Sequence, residues 1–275
     1  MTLAETNLRP TVPEAGTRTA FLVVAGASVP DGKLLASVRH PGEDLAPEDA
    51  LRRAQESNEP IPVSFQTPVA VCVLRVAPDF TLLNFKCLDA PHFRPREIVN
   101  QFWFGVTHYN ARLVTFNGRA FDLPLLELAA FRYGIQARDY YLARDRYRGP
   151  IDLSDWLTNS GAYKLAGGLD VLAKLIGTPG RLFSAPADGI AGINDRCLCD
   201  ALDTYFVFLR TRVMTGDITS DQEAALVAGA KALLSTKVAE APVLGAYLAA
   251  WAAAPGRGPT AGGAPEPAGA DAGTP

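Results

Sequence analysis

Apolar residues fall into two rhythms along this chain. Short runs that are continuous or alternate with polar residues predict strands at about 19–25, at PVAVCVLRV (68–76), at FTLLNFKCL (80–88) and at RLVTFNG (112–118). The three residues between the second and third runs, Ala77, Pro78 and Asp79, predict a hairpin. Between 95 and 108, Ile98, Val99, Phe102 and Val106 recur at helical spacing. A second helix opens at Asp122, read as its N-cap, with Pro124 in the first turn and Gly134 at its end. Further helices are predicted near 153–158, 168–177, 194–214, 219–235 and 240–253, and a polar, proline-containing connection from about 30 to 62. The order is strand, hairpin, helix, strand, then mostly helices. It predicts an α/β domain, a mixed sheet flanked by helices.

The two ends depart from this pattern. Residues 1–17 read as a flexible lead-in, and 254–275 contain no aromatic or large aliphatic residue and read as disordered. The expected organisation is a main domain over 18–215 and a helical C-terminal extension over 216–253. At 48% hydrophobic and 20% charged residues the chain has the composition of a soluble globular protein. Its formal charge of −3 excludes broad phosphate attraction, so any nucleic-acid contact must rest on a local patch. No apolar run is long enough to span a membrane. The N-terminus lacks the basic-then-apolar order of a signal peptide, and a cytoplasmic location is expected. Cys72, Cys87, Cys197 and Cys199 read as small buried apolar residues rather than a disulfide framework.

Two stretches carry chemistry. In TFNGRAFDLPLL (115–126) a strand, an Asn-Gly turn and a helix start place Asp122 at a strand–helix junction. In INDRCLCDALDTYFVFLR (193–210) a helix carries Asp200 and Asp203. Taken singly, Asp122 reads as a helix cap and Asp200 as a solvated charge. His40, His92 and His108 show no metal-ligand spacing. The glycines of 166–170 and 177–181 read as helix ends, since no P-loop lysine follows a strand. Phe102, Trp103 and Phe104 read as core, with base stacking as the alternative.

Together the two stretches resemble the predicted 3′–5′ exonucleases similar to the proofreading domain of family B DNA polymerases, within the DEDD superfamily. The likeness runs from about residue 20 to 212 and includes LSDWLTNSGAYKLAGGLDVLAKLIGTPG (153–180), with its Leu-x-Asp, Gly-Ala and Gly-x-Pro-Gly elements. It implies a ribonuclease-H-like fold and a metal-dependent hydrolysis at the 3′ ends of single-stranded DNA or RNA. It also implies two ions, Mg²⁺ or Mn²⁺, held by four carboxylates. Two such ions ~3.5–4 Å apart stabilise both the attacking and the leaving oxygen of a phosphodiester. By the same likeness Asp122 and Asp200 occupy the acidic positions of the second and third motifs, and Asn117 and Phe121 lie against the nucleic acid.

The first motif is different. In FLVVAGASVPDG (21–32), aligned through Ser28-Val29-Pro30-Asp31, the two expected acids fall on Ala25 and Ala27. The expected water-positioning tyrosine, four residues before Asp200, is Arg196. Two carboxylates supply about −2 against about +4 from the ions, which cannot hold them side by side. Arg196, one turn before Asp200, is placed to pair with that carboxylate and stand in for a cation. The implied protein is therefore a member with a depleted metal site, inactive or impaired as written. The alternatives are a pseudo-exonuclease kept as a nucleic-acid-binding or scaffold protein, and an active exonuclease disabled by design. Arg196 favours natural decay, since a deliberate alanine pair gives no reason to replace the tyrosine. Asp31, Asp152, Asp155 and Asp203 are the acids that proximity could recruit as substitute ligands.

Overall fold

The computed structural model describes residues 18–58, 60–142, 149–182 and 189–253. The expected lead-in (1–17) and disordered tail (254–275) lie outside the described residues.

The centre of the molecule is β1 (Phe21–Pro30), flanked on one side by β2 (Gln66–Val76) and β3 (Leu82–Cys87) and on the other by β4 (Arg112–Thr115) and β5 (Ile151–Asp152). The five strands run in the order β3-β2-β1-β4-β5. β1 pairs antiparallel with β2, which pairs antiparallel with β3, and β1 pairs parallel with β4, which pairs parallel with β5. This mixed sheet, with helices on both faces, is an α/β ribonuclease-H-like fold. β2 is almost continuously apolar because it is covered on both sides: Pro68 to Leu74 are all buried.

Alternation along β1 sorts its side chains between the two faces. Val23, Ala25 and Ala27 turn toward a core built on α8 (Gly189–Met214), whereas Leu22 and Val24 turn toward α3 (Pro95–Tyr109) and α4 (Asp122–Tyr133). α8 brings Leu198, Leu202, Tyr205 and Phe208 against the sheet. α9 (Ser220–Thr236) and α10 (Val243–Ala253) complete the same core through Leu234, Leu244 and Tyr247. α9 starts with a reciprocal capping box between Thr219 and Gln222. On the other face Phe102 and Trp103 are core residues, while Phe104 is exposed and stacks on His108.

The structure corrects the expected connection over 30–62. It contains α1 (Gly32–Arg39), capped by the Asp31 carboxylate at 3.0 Å from Leu34 N, and α2 (Pro47–Glu56). α2 does carry readable helix signals, with Pro47 at its start and Glu48 and Asp49 in its first turn. Its sparse apolar face, Ala50 and Ala54, hid it from the periodicity. β1 runs on to Pro30 because β2 continues beside it, pairing Pro30 with Gln66. β4 stops at Thr115, shorter than RLVTFNG suggested. β5, two residues long, has no periodicity to read, and neither has α5 (Arg138–Leu142). α6 (Leu153–Leu157) and α7 (Gly168–Leu175) fall where helices were expected. Cys72, Cys197 and Cys199 are buried, but Cys87 is only half-buried because it ends the edge strand β3.

Candidate functional site

The middle of β1, the β4–α4 junction, the start of α7 and the middle of α8 line a cavity of about 650 Å³. Asp122, Asp200, Asp203, Asn117, Phe121 and Arg181 line it, with Ala25 and Gly26 on the strand side. Five expected site residues therefore meet in one place. Ala27 packs beside it against the α8 core, and Arg196 stands one helical turn before Asp200.

The β4–α4 junction is built around a buried acid from another strand. Asp152, 3% exposed, accepts hydrogen bonds from Asn117 N at 2.7 Å, Arg119 N at 2.9 Å and Ser154 N at 3.0 Å. Those bonds hold the chain where Asn117 adopts a left-handed conformation, with φ 58°. Gly118 follows, and a Cβ there would run into the Thr115 side chain. The turn delivers Asp122 to the cavity floor. Asp122 is not the helix cap: Phe121 holds that position without a side-chain cap bond, and Asp122 is the first helical residue. Its carboxylate points instead at β1, where Gly26 N–H donates to Oδ1 at 2.6 Å. Glycine fits this approach, since a Cβ at residue 26 would lie 2.9 Å from that oxygen and the carboxylate would have to shift.

Three acids of the cavity, Asp122, Asp200 and Asp203, are raised, whereas Asp170 on the same lining is shifted down, its burial outweighed by the bonds from Lys174 and Arg181 N. Burial pushes the Asp122 carboxyl up to about 7, against the Gly26 amide and with help from the charges of Asp152 and Asp200. Burial raises Asp200 to about 6, while Arg181 first and Arg196 second pull it down. Asp203 is 1% exposed; burial raises it to about 7, opposed by the Tyr247 hydroxyl, which donates to Oδ1 at 2.6 Å. Asp203 lies three residues after Asp200, and that helical spacing was a readable sign that both face one cavity. Tyr247 and Arg181 carried no sequence signal, because residues distant along the chain bring them in.

The remaining recruitable acids are committed elsewhere. Asp31 caps α1 and pairs with Arg132 at 2.6 Å. Asp155 pairs with Arg119 at 2.9 Å. Asp152 holds the Asn117 turn. A pair of divalent cations needs several hard oxygen donors converging on it. Here the Ala25 and Ala27 side chains offer none, Asp122 is bonded to backbone, Asp203 to a tyrosine and Asp170 to Lys174 and Arg181 N, which leaves Asp200. Among the described residues no three His, Cys, Asp or Glu side chains group so as to hold a metal ion. The donor set does not fit the two-ion centre.

A family model described as a predicted 3′–5′ exonuclease related to the exonuclease domain of PolB matches residues 58–251. Asn117, Phe121, Asp122, Arg196 and Asp200 lie inside that match, whereas β1 with Ala25 and Ala27 lies before it. No match to a curated protein was found.

Proposed function

Because the chain belongs to the predicted 3′–5′ exonucleases related to the exonuclease domain of PolB, we propose that it is a pseudo-exonuclease that binds single-stranded nucleic-acid 3′ ends without cutting them. Membership brings nucleic acid as the expected ligand and divalent-metal hydrolysis as the family's expected chemistry. The observation that carries the departure is the Gly26–Asp122 bond at 2.6 Å. It takes an acid that the family likeness assigns to a metal and ties it to a strand with no acidic side chain of its own.

The same changes favour holding a phosphodiester. A site of four ionised carboxylates repels a phosphate unless cations intervene. Here Asp122 and Asp203, raised to about 7, are partly neutral near neutral pH, and exposed Arg181 on the cavity lining stands against the charges that Asp170 and Asp200 keep. Phe121 and exposed Asn117 offer an apolar ring and an amide to a terminal nucleotide. Arg196 at the tyrosine position leaves no phenol four residues before Asp200 to orient water.

The test uses end-labelled single-stranded DNA and RNA with Mn²⁺. The reading predicts no 3′ shortening above a protein-free blank, together with retention of the strands that weakens as salt rises. Time-dependent 3′ shortening that Asp122→Ala abolishes would overturn it.

A further inference from the structure

One row of residues crosses the sheet from Ala25 on β1 through its partner Cys72 on β2 to Cys87 on β3. Leu88 N–H donates to Val71 O at 2.9 Å, which makes Cys72 and Cys87 a non-hydrogen-bonded antiparallel pair. That arrangement brings opposed side chains closest, with Cα atoms ~4.5 Å apart, inside the ~4.4–6.8 Å that a disulfide bridges. The two Sγ atoms are 3.3 Å apart and both thiols are free.

The pair is chemically asymmetric. Cys72 is fully buried, and burial pushes its thiol well up. Cys87 is half-buried at the sheet edge; donation from Cys72 first, and from Asn194 as well, draws its thiol down against the effect of burial. Cys87 is thus the thiol that reagents reach and that ionises more easily, with a neutral partner in van der Waals contact. Cys197 also lies within hydrogen-bond reach of Cys72, but its Sγ–H donates to Ala25 O at 3.0 Å, and it is the competing partner that peptide mapping separates from Cys87. A soft-metal site is not the alternative, since no three ligating side chains group suitably among the described residues.

We propose that Cys72 and Cys87 are a redox-active dithiol that a hydroperoxide converts to a cross-strand disulfide. The Cys87 thiolate attacks the peroxide: an S–O bond forms, the O–O bond breaks, and the departing alkoxide or hydroxide takes up a proton. Cys72 then attacks the sulfenic sulfur, so that the S–S bond forms as the S–O bond breaks. Water leaves with the Cys72 proton. Two thiols lose two electrons in all, and the peroxide is reduced to an alcohol or water. The bond links positions 15 residues apart and fixes the edge strand to β2 beside Ala25.

The test treats the full, reduced chain with a small excess of hydrogen peroxide, then alkylates it in denaturant and maps the peptides. The expected result is loss of two of the four thiols, a cross-link between the peptides carrying residues 72 and 87, and full recovery with dithiothreitol. In Cys72→Ser a sulfenic acid is trapped on Cys87 by a dimedone probe. In Cys87→Ser no such label appears on Cys72. Survival of all four thiols, or a link from Cys72 to Cys197, overturns the proposal; both readings come from the unmutated chain, so a misfolded variant does not blunt the test.

Discussion

Gly26 shows how a single missing side chain rearranges a site. A glycine inside a strand ordinarily loses ~0.5–1 kcal/mol relative to alanine. Here a Cβ at position 26 would meet Asp122 Oδ1, a buried oxygen already bonded to the Gly26 amide, and the opposite sign is expected. Gly26→Ala is expected to destabilise the protein by about 1–3 kcal/mol, and in an Asp122→Ala background the same change is expected to be neutral or stabilising. Urea midpoints for the four proteins of the cycle check this, and additivity would contradict the coupling. Asp203 supplies a pH prediction. Its carboxyl moves from an ordinary 3.8 to about 7 on folding, so the folded state holds the proton more tightly. The stability this contributes is complete below the unfolded value and is lost as pH rises toward the folded one. Thermal stability should therefore fall as pH rises from 3.8 to about 7, and Asp203→Asn, which keeps an acceptor for Tyr247, should flatten that fall. Parallel melting curves across pH for the two proteins would contradict it. The sequence made Asp122 and Asp200 visible because each sits in a recognisable local pattern. It left Asp203 with Tyr247 unreadable as a pair, since 44 residues separate them. Asp122 has the local pattern of a helix cap, because its actual partner, an amide of β1, leaves no mark on the residues around it.

At the scale of elements, β5 is short but organises the site. Its Asp152 carries three backbone N–H bonds that join β5, the Asn117 turn and the start of α6. Asp152→Ala removes them all, and a loss of about 1–3 kcal/mol is expected, with weaker retention of single strands because Asn117 and Phe121 lose their fixed position. Denaturant midpoints and a filter-retention assay measure the two effects. Unchanged retention in a destabilised protein would separate the turn from binding. Elements with strong apolar rhythm, such as β2, the β2–β3 hairpin, α3 and α8, were legible because burial itself writes that rhythm. α1 and α2 were not. Each buries only a small patch, Leu35 against Ala50 and Ala54, so their polar faces dominate the sequence. β5 could not be read at all, because two residues define no period.

Across the whole molecule, one α8-centred core joins the sheet to α9 and α10, so the cavity is backed by residues as remote as Tyr247. The fold was accessible from the order of elements together with the exonuclease likeness. The state of the site was only half accessible: alanine at 25 and 27 can be read, but the bonds of Asp122 and Asp203 depend on three-dimensional placement. Those bonds underlie the central claim that Asp122, Asp200 and Asp203 do not assemble a two-ion centre around Ala25 and Ala27. Calorimetric titration of the unmutated chain with Mn²⁺ tests this most directly, alongside Ala25→Asp/Ala27→Glu. No saturable two-ion binding by the unmutated chain is expected, and a gain in affinity is expected when the acids are introduced. Saturation of the unmutated chain by two ions, lost in Asp122→Ala, would contradict it.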